Sequence, residues 1–126
     1  MSRVLVVEDN AAIRELVGMY LKQAGHAVAL AENGDDALAA VTSRGSPDVA
    51  VLDVEMPGMN GLQLLTRLRE LPGLDGLPAI FLSARVHPSD IAAGTDMGAS
   101  YLTKPFIGSA LVNLIRKAVQ PAEEEW

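Results

Sequence analysis

Short apolar runs recur along the chain at residues 4–7, 27–31, 49–52 and 79–82, with a weaker fifth at 100–102. Most of them lack polar alternation, which predicts strands covered on both faces rather than strands with one wet side. Between the runs the apolar positions change to a helical period. Ile13, Leu16, Val17, Tyr20 and Ala24 make one stripe, Leu64, Leu65, Leu68 and Leu71 a second, and Ile107, Leu111, Leu114, Ile115 and Ala118 a third. Ala37, Leu38 and Val41 predict a short helix entered after Asn33-Gly34, and residues 89–97 carry the faintest helical signal. Gly25, Gly45, Pro72-Gly73 and Gly98 punctuate the helix ends.

Strand followed by helix, five times over, predicts an α/β fold: a doubly wound parallel sheet with helices on both faces, joined by right-handed crossovers. No internal sequence repeat and no interior linker divides the chain, because the loop 72–78 only joins a helix to a strand. Residues 1–120 are therefore expected to form one domain, and 121–126 an acidic, frayed tail. A length of 126 residues suits a single domain. With 49% hydrophobic but only 4% aromatic residues, the core is expected to be aliphatic and close-packed.

Composition narrows the chemistry. The chain has no Cys, which excludes disulfides and thiolate metal sites, and its two His residues are isolated, so any metal must rely mainly on oxygen ligands. Sixteen acidic against ten basic residues, a net charge of −6, argue against a nucleic-acid or anionic-membrane footprint and favour a protein partner or a small ligand. The apolar run at residues 4–7 is too short for a signal peptide, and no stretch approaches the ~20 apolar residues needed to cross a bilayer. A soluble, cytoplasmic protein is the expectation.

In an open parallel sheet, ligands bind outside the carboxyl ends of the strands, where the strand order reverses. The commonest five-stranded orders put the first and third strands together at that reversal. Glu8 and Asp9, which end the first apolar run, would then meet Asp53, which ends the third. Converging carboxylates raise one another's pKa unless a cation neutralises them, and hard oxygen ligands favour Mg²⁺ over zinc or copper. Taken singly, Asp9-Asn10 is a good helix cap and Asp53 a good turn former; the topology favours the shared site by placing them together. Ser83 closes the fourth run and Lys104 follows the fifth. Each alone reads as a cap or a solvated charge. Around one spot they supply a hydroxyl donor and a point cation, the equipment for stabilising a phosphoryl group in transfer. Asp53 would be the nucleophile, forming an acyl phosphate.

The segments "VLVVEDN" (4–10), "VLDVEMPGMNG" (51–61), "FLSA" (81–84) and "YLTKPF" (101–106) stand in an order and at a spacing that resemble the receiver domain of bacterial two-component response regulators, the CheY-like superfamily. The resemblance covers nearly the whole chain. It implies a flavodoxin-like sheet of order 2-1-3-4-5 and transfer of a phosphoryl group to Asp53 from the phosphohistidine of a sensor histidine kinase or histidine phosphotransfer protein. It implies Mg²⁺ bound directly by Asp9 and Asp53, by the backbone carbonyl of Glu55, and through water by Glu8. Ser83 would bond a phosphoryl oxygen, Lys104 would pair with the phosphoryl group, and the Lys104-Pro105 peptide would be cis. Tyr101 matches the aromatic position that turns inward when the hydroxyl of Ser83 is drawn to the phosphate. Such a domain is a phosphoacceptor, catalysing its own phosphorylation and slow autodephosphorylation, rather than an enzyme acting on a separate substrate.

Phosphorylation would then bias a two-state element, reported on the face of the fourth helix, fifth strand and fifth helix. Val112 and Val119 lie off the core stripe of the last helix and serve either flanking packing or a modest homodimer or partner surface. The resemblance puts Glu55 and Arg85 beside the path of attacking water; this oppositely charged pair either bridges over the phosphate, which is expected to slow hydrolysis, or stays solvated and does little. No output domain is expected within residues 121–126, so the chain reads either as a stand-alone receiver acting on a downstream protein target or as a piece of a longer regulator. Rival readings fit less well. A haloacid-dehalogenase-like phosphatase needs a cap domain, a flavodoxin-like flavin carrier needs a Ser/Thr-rich phosphate loop after the first strand, and a pseudo-receiver would lack part of the acidic site.

Overall fold

The computed structural model describes residues 2–84 and 88–119. In chain order the elements are β1 (Arg3–Val7), α1 (Ala11–Gln23), β2 (Ala27–Ala31), α2 (Gly34–Arg44), β3 (Val49–Asp53), α3 (Gly61–Arg69), β4 (Ala79–Ser83), α4 (Pro88–Asp96), β5 (Ser100–Thr103) and α5 (Gly108–Val119). The strands form one parallel sheet in the order β2-β1-β3-β4-β5, as expected.

Successive residues of a strand point to opposite faces, so each fully apolar strand feeds two cores. Leu5 and Val7 of β1, Ala50 and Leu52 of β3, and Ala79 and Phe81 of β4 join Ala37 and Val41 of α2 and Leu64, Leu65 and Leu68 of α3 on one side. Val4, Val6, Val49, Val51, Ile80 and Leu82 meet Val17 and Leu21 of α1 and Leu111 and Ile115 of α5 on the other. Each fully buried Leu or Ile contributes roughly 1.5–3 kcal/mol of transfer free energy. All five residues of β3 and of β4 are buried, whereas the edge strands β2 and β5 keep exposed positions on both faces.

Two helical stripes differ from expectation. The covered line of α1 is Ile13-Val17-Leu21 with Gly18 beside it, and Leu16, 40% exposed, lies outside it with Ala24. Tyr20, by contrast, is half-buried against Gly108 of α5. Ile107 is 72% exposed because α5 begins one residue later, so it precedes the periodic face it seemed to extend. Val119 packs against the same core as Leu111 and Ile115, which corrects its reading as an off-core position; Val112 is half-buried. The tail 121–126 lies outside the described residues.

Register levels the strand ends at the reversal point. Val7 pairs with Leu52, so Glu8 and Asp53 follow side by side, while Ser83 pairs with Thr103 and Lys104 comes next. The ladder continues past the strands, with Glu8 N–H donating to Ala31 O (3.1 Å), Val54 N–H to Leu82 O (2.9 Å) and Lys104 N–H to Ser83 O (2.8 Å). These bonds tie Glu8, Lys104 and the residue after Asp53 to the sheet instead of leaving them on free loops.

Candidate functional site

Asp53 is 1% exposed at the end of β3, and the stretch after it is a strand-to-helix junction rather than a simple turn. Met56 N–H and Gly61 N–H both donate to the Val54 carbonyl (3.2 Å each), folding the loop back on itself. A Cβ on Gly61 would lie 2.5 Å from the Asp53 carbonyl oxygen, so only glycine lets the first residue of α3 sit on the strand end. Asn60 then caps α3 through a reciprocal capping box with Gln63, with bonds of 2.8 and 3.0 Å.

On the β1 side, Asn10 rather than Asp9 is the cap of α1, accepting from Ile13 N–H at 3.0 Å. Asp9 is thereby left for the crevice. Glu8 is fully buried, its Oε2 accepts from Asn10 N–H at 3.2 Å, and its backbone carbonyl accepts from Arg14 Nη1 at 2.8 Å. Glu8, Asp9 and Asp53 each offer an oxygen within 4.8 Å of the others. Lys104, delivered by a cis Lys104-Pro105 peptide, forks between two of them, with Nζ 2.8 Å from Glu8 Oε1 and 3.3 Å from Asp53 Oδ1. Asp53 Oδ1 also accepts from Glu55 N–H at 3.1 Å.

One ammonium does not balance three carboxylates. Burial, then hydrogen bonding to Glu8 and Asp9 and the charge of Glu8, push the Asp53 carboxyl up to about 8, with Lys104 opposing. For Asp9, burial acts upward, but hydrogen bonds with Asp53 and Glu8 outweigh it and hold the group below its ordinary value. Burial pulls Lys104 down, while Glu8 and Asp53 more than compensate and raise it, so it stays an ammonium. Burial and the crowding of these oxygens favour the protonated form of Asp53, and added positive charge would favour the carboxylate. An all-oxygen donor set with excess negative charge fits a hard divalent cation such as Mg²⁺, and would hold it through Asp9 and Asp53 beside Glu8.

On the β4 side, Ser83 is 1% exposed and its Oγ donates to Glu55 Oε2, while Ala84 N–H donates to Glu55 Oε1 at 3.2 Å. The carboxylate of Glu55 therefore spans the crevice from the β3 loop to the end of β4. Its expected partner Arg85 lies outside the described residues, and so does the expected Glu55–Arg85 pair. Tyr101 is half-buried on β5, with its ring centroid 5.4 Å from that of Phe81 at an interplanar angle of 46°. It rests on Gly94 of α4, where any Cβ would run into the ring. Sequence reasoning missed the roles of Gly61, Gly94 and Arg14 and the Ala84 amide. A backbone donor has no residue signature at all, and the two glycines answer to atoms far away in the chain.

The profile of the response regulator receiver domain matches residues 4–116. The transcriptional regulatory protein AfsQ1 of Streptomyces coelicolor is 37% identical over 126 residues, covering 99% of this chain and 54% of that protein. The response regulator MprA of Mycolicibacterium vanbaalenii is 42% identical over 115 residues, covering 90% and 48%. The chain thus spans about half the length of the curated relatives it matches. Among solved structures, the chemotaxis protein CheY4 of Vibrio cholerae superposes with a TM-score of 0.84 at 32% identity, over 94% of this chain and 98% of that one. The receiver domain of the Francisella response regulator 1452 gives 0.85 at 28%, over 98% and 100%. Fold and crevice define a CheY-like signalling module. The chain belongs to the response regulator receiver domain family of two-component systems.

Proposed function

We propose that the domain accepts a phosphoryl group on Asp53 from a phosphohistidine on a sensor histidine kinase or phosphotransfer protein, in a Mg²⁺-dependent reaction that switches a protein-interaction face. The observation that carries this reading is the buried Asp53 carboxylate, in ion-pair contact with Lys104 and within 4.8 Å of Glu8 and Asp9 oxygens.

In the reaction, an Asp53 carboxylate oxygen attacks phosphorus, a P–O bond forms and the P–N bond to the imidazole breaks. The imidazole nitrogen leaves with the electron pair and takes up a proton. Bound Mg²⁺ would supply positive charge against the equatorial phosphoryl oxygens and the attacking carboxylate. Asp9, Asp53 and the Glu55 carbonyl would hold it, with Glu8 acting through water and through its grip on Lys104. Lys104 already lies against Asp53 Oδ1 and offsets the approach of one anion to another. Ser83 Oγ and Ala84 N–H are donors on the neighbouring strand end, suited to a phosphoryl oxygen. The switch is assigned to Ser83 and Tyr101, and its readout to the face of α4, β5 and α5, which meets an output domain, a downstream protein or a second copy. Among the described residues no helix is long and apolar enough to cross a membrane.

The test is incubation with Mg²⁺ and acetyl phosphate followed by intact mass. One added phosphoryl group, absent without the metal, is the expected result; no addition under any condition would overturn the phosphoacceptor reading in favour of a binding-only module.

A further inference from the structure

Residue 55 touches both sides of the crevice. Its backbone N–H donates to the Asp53 carboxylate, and its own carboxylate takes both donors at the end of β4, the Ser83 hydroxyl and the Ala84 amide. Glu55 is otherwise an exposed loop residue, so burial does not force this posture on it. Two donors converging on the two oxygens of one anion present the same pattern that a phosphoryl group on Asp53 would need. We infer that Glu55 is an internal placeholder anion: it satisfies the phosphoryl-binding donors while Asp53 is unmodified, and an incoming phosphoryl group must displace it.

The inference rests on the phosphoacceptor reading and adds a regulatory element to that site. The Glu55 carboxylate gives the buried Ser83 hydroxyl an acceptor in the resting state. Phosphoryl oxygens arriving nearby compete for both donors and repel the Glu55 carboxylate, which swings to solvent. The apparent affinity for a phosphoryl-like ligand is then lowered by the fraction of molecules in which the donors are occupied. Glu55 is a positioning residue on this account, acting through Ser83 and Ala84.

The experiment is titration of the Mg²⁺-loaded chain with beryllium fluoride, a phosphoryl mimic that coordinates a carboxylate oxygen, followed by ¹⁹F NMR. The unaltered chain is compared with Glu55→Ala and Glu55→Asp. Aspartate keeps the charge but, one methylene shorter, cannot span to Ser83 and Ala84. Both variants are expected to bind about tenfold more tightly, because the carboxylate at position 55 no longer competes for Ser83 and Ala84. Tightening in Glu55→Ala alone would mean simple charge repulsion and overturn the placeholder, as would equal binding by all three chains. No binding by any of them, the unaltered chain included, would overturn the phosphoacceptor reading and the placeholder with it.

Discussion

The two halves of the crevice solve opposite problems. On the β1–β3 side three carboxylates crowd around the Lys104 ammonium, and burial together with that crowding raises the Asp53 carboxyl to about 8. On the β3–β4 side the Ser83 hydroxyl and Ala84 amide are matched by the carboxylate of Glu55. The acidic half is short of positive charge and is made receptive to a cation by frustration. The hydroxyl half is complete within the chain, so a ligand enters it only by displacing something. A binding site can thus be poised either by leaving a need unmet or by meeting it with a replaceable group.

Removing the central carboxylate is the strongest perturbation of this contrast. Asp53→Asn is expected to abolish phosphoryl uptake from acetyl phosphate, read as the absence of any added mass, while leaving the hydroxyl half intact. Lys104→Ala comes next. It strips the Lys104 ammonium from the acidic half and is expected to slow phosphorylation by about 10²-fold or more. It should also destabilise the metal-free fold by about 3 kcal/mol, because Glu8 is left buried without its partner. Stopped-flow phosphorylation and urea denaturation measure the two effects.

The unmet need should also appear as a pH dependence. The folded-state value of Asp53, about 8, exceeds its ordinary value of 3.8, so between those limits the folded chain holds a proton that the unfolded chain has released. That contribution to stability is fully present below the ordinary value and is lost as pH rises towards and through 8. Asp9, depressed below its ordinary value, acts in the opposite sense and loses its contribution as pH falls through the acidic range. The metal-free domain is therefore expected to melt lower at pH 8.5 than at pH 6, on the order of one proton's linkage. Asp53→Asn should remove the slope, and saturating Mg²⁺ should flatten it with release of a proton. A slope unchanged in Asp53→Asn would place the titration elsewhere.

Gly61→Ala probes the backbone under the acidic half alone. Its Cβ would meet the Asp53 carbonyl oxygen at 2.5 Å, so a cost of about 1–3 kcal/mol is expected from displacement of the α3 start. The same shift should weaken Mg²⁺ binding while leaving the Ala84 amide resonance in place. If denaturation and metal titration were both unaffected, the close approach would have no bearing on the site.

Much of the fold was legible before any coordinate. The apolar runs at 4–7, 49–52 and 79–82 became the buried central strands because residues covered on both faces need no polar alternation, and strand–helix repetition left few topologies open. The acidic half was legible for the same reason: Glu8, Asp9 and Asp53 each follow an apolar run, and adjacency of β1 and β3 gathers whatever stands there. Helix faces were less legible, since Leu16 and Ile107 match the period yet remain exposed.

The sequence by itself determined which residues reach the crevice, because strand length, apolar period and chain order are local properties. Tertiary structure alone decided how they pair there. Asn10 takes the cap and frees Asp9, Gly61 closes on the Asp53 carbonyl, and the carboxylate of Glu55 turns to Ser83, 28 residues away. Such pairings depend on register and on loop paths across the sheet, so they become visible only when the strand ends are brought level in space.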